Sequence, residues 1–320
     1  MAWLSRQSYK NMLLPLDGSA LAEDVFPYAV QIAAQLTINP YLLSIAGPGQ
    51  PNTVNTRRQY IQGAVTRFKE KLEEARQSMD LSTLPVEVSG DAALGTYSPA
   101  EEILVQAENR QMDFILMSTH GESGIRRWII GSITDRVLRS APMPVWLWRA
   151  SAPQPEPALH GRWLRHIIVP LDGSTVAEHV LPQVESLAKQ RGVDSIEITL
   201  LNVAESPDIL AGYPEADMEL TWQRHVAEKQ AWMKREATKY LDGIVERFKR
   251  SGITVRKEVL IGKPSESIID FAGRDREALI AIGTHGQAGS KRWSYGTTTD
   301  RVLHAVHNPI FLVRSDDRAT

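Results

Sequence analysis

The chain repeats itself. Residues 119–138, THGESGIRRWIIGSITDRVL, return at 284–303 as THGQAGSKRWSYGTTTDRVL, at a constant offset of 165 that also relates His120 to His285, Gly131 to Gly296, Asp135 to Asp300 and Pro144 to Pro309. Between 118–149 and 283–314, 15 of 32 aligned positions are identical. What recurs is glycine, hydroxyl and histidine, not the apolar residues that packing alone preserves. The stretch runs from a strand end towards a helix start, which in an α/β protein is where phosphates bind. Whatever one half folds into, the chain must contain twice.

The repeat begins far upstream of this motif. KNMLLPLDGS at 10–19 and HIIVPLDGS at 166–174 are short aliphatic runs ending in Pro-Leu-Asp-Gly-Ser, the pattern of a buried strand meeting a turn. Here the offset is 155, so the second copy holds ten more residues before its glycine motif; the Pro- and Gly-containing stretch 205–217 is the candidate for the excess. Pro153, Pro155 and Pro157 mark a linker between the copies. The expected domains are therefore 1–149 and 163–320, joined by the Pro-rich segment 150–162. A chain of 320 residues has room for two domains of roughly 150.

Each half alternates strand and helix. In the first, the patterns predict a helix over 20–36, a strand over 41–46, a long amphipathic helix over 56–79 and a short strand at 86–88. A helix over 99–109, a strand over 114–118, a helix over 132–139 and a closing strand over 145–148 follow. In the second, strands are expected near Ile167, Ile198, Val255, Leu279 and Ile310, and Thr175 and Glu178 stand at capping-box spacing before its first helix. Such alternation implies parallel strands joined by right-handed crossovers. The expected fold is α/β: two tandem doubly wound five-stranded parallel sheets, order 3-2-1-4-5, with helices on both faces. The closing strands, PVWLWR at 144–149 and PIFLVR at 309–314, are apolar on both faces. Either helices bury them, or they pair with each other and make a pseudo-twofold dimer within one chain.

Composition narrows the function. A net charge of −2 lacks the basic excess of a nucleic-acid binder, and the absence of cysteine removes disulfides, thiol catalysis and thiolate metal sites. The apolar run at 12–16 is too short for a signal peptide's core and no stretch approaches a membrane span, so the expectation is a cytoplasmic protein with neither nucleic-acid nor membrane partner.

The chemistry concentrates at the repeated loop. In the second copy it reads G-x-x-G-x9-G-T, with Gly283 at a strand end, Gly286 suited to a sharp turn, and Gly296 at the start of a helix. A helix N-terminus offers unpaired N–H donors and a positive dipole end, and Thr297 and Thr299 add hydroxyls, so a di- or triphosphate is well matched. The competing reading is structural, with glycines shaping a connection and threonines capping the helix. Asp17 and Asp172 end the first strand of each half beside the crevice at the switch point, where a carboxylate accepts hydrogen bonds from a ribose or an adenine edge; alternatively each closes an Asx turn in Asp-Gly-Ser. His120 and His285 each stand alone, without a neighbouring carboxylate or second histidine, which favours loop ordering or ligand contact over catalysis. The pairs Arg126-Arg127 and Lys291-Arg292 fit a γ-phosphate or a solvated face equally.

On the strand-plus-aspartate openings, the glycine patterns and the TDRVL-x5-P endings, both halves resemble universal stress protein domains, over nearly the whole chain apart from linker and tails. The resemblance to the nucleotide-binding branch of that family implies that G-x-x-G-x9-G-[S/T] binds the phosphates and ribose of ATP. The first-strand aspartate and the end of the second strand would hold the nucleoside. Those roles fall on Asp172, Val203, Gly283, Gly286, Gly296, Thr297 and Thr299 in the second half, and on Asp17, Ile45, Gly121, Gly131, Ser132 and Thr134 in the first. The first half departs at Ser118, which replaces the first glycine, and the second at Ser294-Tyr295, which replaces an aliphatic pair such as Ile129-Ile130. The expected function is an ATP-binding regulatory protein, with Mg2+ as a candidate companion of the nucleotide, an unknown protein partner, and further homo-oligomerisation open. No GxxxxGK[ST] motif occurs, so any ATPase is expected to be slow. The alternatives are a tandem scaffold working through protein contacts alone and an adenylate-forming enzyme, for which the sequence offers no catalytic group.

Overall fold

The structure, a computed structural model, describes residues 8–47, 49–79, 81, 85–96, 98–119, 130–149, 164–205, 219–284 and 295–314. The first half contributes β1 (Asn11–Pro15), α1 (Ala20–Glu23), α2 (Phe26–Leu36), β2 (Asn39–Ala46), α3 (Val54–Ser78), β3 (Ser89–Leu94), α4 (Pro99–Asn109), β4 (Phe114–Ser118), α5 (Ser132–Ser140) and β5 (Val145–Trp148). The second contributes β6 (His166–Pro170), α6 (Leu181–Arg191), β7 (Glu197–Glu205), α7 (Glu219–Arg250), β8 (Arg256–Gly262), α8 (Pro264–Ala272), β9 (Leu279–Gly283), α9 (Thr297–Ala305) and β10 (Ile310–Val313).

The strands form one ten-stranded sheet in the order β3-β2-β1-β4-β5-β10-β9-β6-β7-β8. Each half keeps the expected 3-2-1-4-5 arrangement and is parallel throughout. The halves meet where β5 and β10 pair antiparallel, Trp146 opposite Phe311. The two readings of the closing strands both hold: they pair with each other, and both of their faces are buried.

Because strands alternate faces, β5 and β10 carry two continuous cores across the junction. Trp146, Trp148, Phe311 and Val313 lie with residues of α2, α3, α6 and α7 on one face. Val145, Leu147, Ile310 and Leu312 lie with residues of α4, α5, α8 and α9 on the other. Trp146 is fully buried, donates its indole N–H to the Tyr28 hydroxyl at 2.9 Å, and meets Phe311 edge-on at 5.2 Å between ring centroids. Two arginines at equivalent positions then cross the junction. Arg149 donates from Nε to the Val306 carbonyl at 2.9 Å and from a terminal nitrogen to that of Leu303, closing the C-terminus of α9. Arg314 reaches the Ser140 carbonyl at the end of α5 at 3.4 Å. Cations at helix C-termini complement the dipole; burial lowers the Arg149 pKa to about 10.

Three local expectations need correction. The helix over 20–36 is two helices, because Pro27 enters at the first turn of α2 and cannot continue α1. The third strand is Ser89–Leu94, not 86–88. Its small, polar residues hide it from propensity, but packing demands them: a Cβ on Gly90 would lie 2.5 Å from the Leu42 carbonyl and 2.9 Å from the Ile61 side chain of α3. In the second half Ser174, not Thr175 with Glu178, accepts the N–H of Ala177 at 3.1 Å. Glu178 accepts instead from the Tyr240 hydroxyl at 3.1 Å.

Candidate functional site

The crevice opens at the carboxyl edge, where β1 and β4, or β6 and β9, send their connections to opposite faces of the sheet. After β1 the chain makes a hydrogen bond from Leu16 N–H to the Leu43 carbonyl and turns at Gly18, whose φ of 90° is a glycine conformation. Asp17 Oδ1 accepts from the Ser19 N–H at 2.9 Å and hydroxyl at 2.6 Å, and Ser19 Oγ accepts from the Ala22 N–H at 3.1 Å. Asp172, Gly173 and Ser174 repeat this geometry with the same distances. Both aspartates therefore close Asx turns, with one carboxylate oxygen committed to the turn and the carboxyl group still at the crevice edge.

The glycine loop is clamped where it leaves and where it returns. Thr119 donates its N–H to the Trp148 carbonyl of β5 and accepts the N–H of Gly131, both at 2.9 Å. Thr284 does the same with Val313 at 3.0 Å and Gly296 at 2.9 Å. The span between these clamps, 120–129 and 285–294, lies outside the described residues, and with it Gly121, Gly286, His120, His285, Arg126, Arg127, Lys291 and Arg292. At the return, Gly131 and Gly296 are the N-cap residues of α5 and α9, with φ/ψ of −57/147 and −56/147 and no side-chain cap. Any residue adopts that extended conformation, so backbone geometry does not require glycine at either position. The hydroxyls fall into two groups. Thr134 and Thr299 are buried and donate back to the Ser118 and Gly283 carbonyls at 3.3 and 3.0 Å, tying helix to strand. Ser132 and Thr297 are exposed beside the uncapped helix ends. Thr134 and Thr299 thus join helix to strand, and Ser132 and Thr297 stand at the first helical positions. Ser118 accepts the Thr134 bond where Gly283 accepts that of Thr299, so the serine leaves the strand end intact.

Ile45 is buried, next to the last residue of β2, and Val203 is partly buried, two residues before the end of β7. Several neighbours escaped the sequence reading. Leu94 and Ile261, 44% and 37% exposed, pair in register with Ala46 and Ala204 and set one uncovered aliphatic side chain at the same edge of each half. Misplacing the third strand concealed Leu94. Tyr60 donates its hydroxyl to Glu23 at 2.8 Å as Tyr240 does to Glu178. Burial, reinforced by the carboxylates, raises both phenol pKa values well above the usual range, so the hydroxyls stay protonated donors. Arg57, in the first turns of α3, donates to the Asp17 carbonyl at 3.3 Å and the Ser44 hydroxyl at 3.2 Å.

Tyr295 explains its own departure from the aliphatic pattern. It precedes Gly296 in the second half, yet it is buried against the first: the Arg139 guanidinium lies 4.9 Å from its ring centroid. Arg139 is held by Asp135 through bonds of 3.0 and 2.8 Å on α5. At the equivalent place in the first half stands Ile130, also buried, with His304 in the position of Arg139. Among the described residues no group of three or more His, Asp and Glu side chains gathers, and no helix is long and apolar enough to cross a membrane.

The model of the universal stress protein family matches residues 8–149 and again 164–314. A universal stress protein of Methanocaldococcus jannaschii is 29% identical over 151 residues, 47% of this chain and 82% of the relative. One from Synechocystis is 21% identical over 323 residues, 95% of this chain and all of the relative. The crystal structure of a universal stress protein from Archaeoglobus fulgidus shares the fold with a TM-score of 0.61 at 18% identity, covering 95% of this chain and 98% of that one. With the family model matched in both halves, the chain belongs to the universal stress protein family and carries its domain twice.

Proposed function

We propose that the protein binds adenine nucleotides, ATP foremost, at the carboxyl edge of each half, and that occupancy acts as a regulatory signal in a stress response. The observation that carries this reading is the pair of helix N-termini at Gly131 and Gly296. Each opens beside the crevice with no side-chain cap, an exposed hydroxyl at the first helical position, and a glycine that the backbone conformation does not demand. Unpaired N–H groups and the dipole favour an anion there, and the absence of a side chain leaves room for it. In this reading Gly131, Ser132, Gly296 and Thr297 meet the phosphates, together with Gly121, Gly283 and Gly286. Thr134 and Thr299 hold the loop base in place. Asp17 with Ile45, and Asp172 with Val203, hold the nucleoside; Leu94 and Ile261 offer it apolar cover. Mg2+ would arrive with the triphosphate. Turnover is slow, because the sequence lacks the P-loop lysine motif that clamps a transferring phosphoryl group.

The test uses the tolerance of Gly131 and Gly296 for side chains. In Gly131→Val/Gly296→Val the backbone angles remain allowed, so the fold should survive with a stability loss of about 1 kcal/mol at the caps. ATP affinity by calorimetry should fall about 100-fold or more, equivalent to about 2.7 kcal/mol. Nucleotide released from the denatured, freshly purified parent should be identifiable by mass spectrometry. Unchanged ATP affinity in the folded double variant would sink the assignment, and a protein acting as a scaffold alone gives no heat with any nucleotide.

A further inference from the structure

Among the described residues, the crevice of the first half contains a cation, Arg57, with no counterpart at the equivalent position of the second. Arg57 is half-buried, and both of its bonds run from one terminal nitrogen to neutral acceptors, the Asp17 carbonyl and the Ser44 hydroxyl. Among the described residues it makes no ion pair, and Nε and the other terminal nitrogen donate to nothing. The matching Tyr60–Glu23 and Tyr240–Glu178 bonds align α3 with α7, as does the burial of Phe68 and Phe248, and Ala237 then occupies the place of Arg57. The strand end differs too. Leu43 and Leu201 accept equivalent bonds from Leu16 and Leu171, so Asn202 replaces Ser44, and its amide donates to the Leu171 carbonyl at 2.8 Å. The second half thus completes this corner with a neutral amide.

A half-buried guanidinium with donors to spare is stabilised by an anion, and its planar fork suits a phosphate or carboxylate. Position decides which part of a ligand that anion belongs to. Asp17 and Ser44 border the nucleoside side of the crevice, Ser44 being next to Ile45, whereas the phosphate-facing helix α5 begins beyond β4. In dinucleotide-binding α/β folds, an arginine near the end of the second strand accommodates a phosphate on the ribose.

We propose that the first half selects an adenine nucleotide bearing a second phosphate on the ribose 2′- or 3′-hydroxyl, with Arg57 as the partner of that phosphate. The second half takes nucleotides whose ribose hydroxyls are free. The proposal rests on the nucleotide reading above. Its test is calorimetry on the full chain carrying Gly296→Val, titrated with AMP, adenosine 2′,5′-bisphosphate and adenosine 3′,5′-bisphosphate. One bisphosphate should bind about tenfold or more tighter than AMP, equivalent to about 1.4 kcal/mol, and the preferred isomer identifies the hydroxyl. Adding Arg57→Ala should collapse the bisphosphate-to-AMP ratio to about one, and Arg57→Lys should restore part of it. Equal binding of AMP and both bisphosphates, or a preference that persists in Arg57→Ala, overturns the selectivity and leaves the nucleotide reading standing. If none of the three nor ATP binds even with Gly296 intact, the nucleotide reading falls and this one with it.

Discussion

Replacing Trp146 by alanine tests whether the two halves are one folding unit. The side chain is fully buried. It meets Tyr28, Phe114 and Phe311 at centroid distances of 5.8, 5.7 and 5.2 Å. Removing a buried tryptophan costs about 3–5 kcal/mol, with aromatic pairs contributing about 0.5–1.5 kcal/mol each within that range. The Tyr28 hydroxyl also loses its indole donor at 2.9 Å, so the upper part of the range, about 4–5 kcal/mol, is expected. Trp146→Phe keeps much of the packing and should cost about half as much. Urea unfolding followed by circular dichroism gives the free energy, and hydrogen exchange of the β6 and β9 amides reports on the second half. Because Phe311 belongs to that half and pairs with Trp146 across the junction, the β6 and β9 amides should lose protection in step with β1 and β4. A loss below about 1.5 kcal/mol, well under the usual cost of such a cavity, would refute the reasoning. So would a biphasic transition in which the second half keeps its original midpoint.

Two further outcomes follow from the same junction. Tyr295→Phe retains the ring against Arg139 and deletes a buried hydroxyl that has no hydrogen-bond partner among the described residues; stability to urea should stay level or rise by up to about 1 kcal/mol, and a comparable loss would show that the hydroxyl is bonded in solution. His307 has its pKa lowered, first by desolvation and then by Arg276 and Arg149. Its folded state therefore disfavours the imidazolium, so the unfolded chain binds more protons as pH falls through about 6.5 and below. Stability should decline from pH 7 to pH 5, and His307→Gln should flatten that decline; identical pH profiles by thermal melting would remove His307 as the cause.

The architecture was legible because duplication doubles every signal. Aliphatic runs ending in Pro-Leu-Asp-Gly-Ser located β1 and β6, and the interval between the clamping threonines and the glycine N-caps located both loops. What escaped was set by contacts that no local pattern records. Gly90 and its polar neighbours do not resemble a strand, and they form one because α3 packs too closely on β2 and β3 for a Cβ to fit. Ser174 outcompetes the Thr175–Glu178 box because the Asx turn of Asp172 already presents its hydroxyl to the Ala177 N–H. Tyr60 and Tyr240 lie too far from Glu23 and Glu178 in sequence for their pairing to be read before the fold is known.

The site was legible in its main chain and obscure in its side chains, and the obscurity falls where the halves differ. Copying a domain copies its backbone clamps, and Thr119 and Thr284 repeat theirs to within 0.1 Å. Fusing the copies through β5 and β10 places the loop ends of each half against the other, so identical positions acquire different neighbours. Tyr295 leans on Arg139 and hence on the Asp135 of α5, one residue from the buried Thr134 that ties α5 to β4. At the reciprocal place His304 stands instead of an arginine and bonds the Asp300 carbonyl of its own helix at 2.8 Å. The loop return of the second half is therefore braced by the first through Tyr295 and Arg139, while in the first half Arg57 bonds the Asp17 carbonyl and the Ser44 hydroxyl. A sequence comparison that scores the glycines ranks the second half as the intact site and the first as the degraded one. The contacts show one frame used twice, with Tyr295 distinguishing the loop return of the second half and Arg57 the strand-end corner of the first.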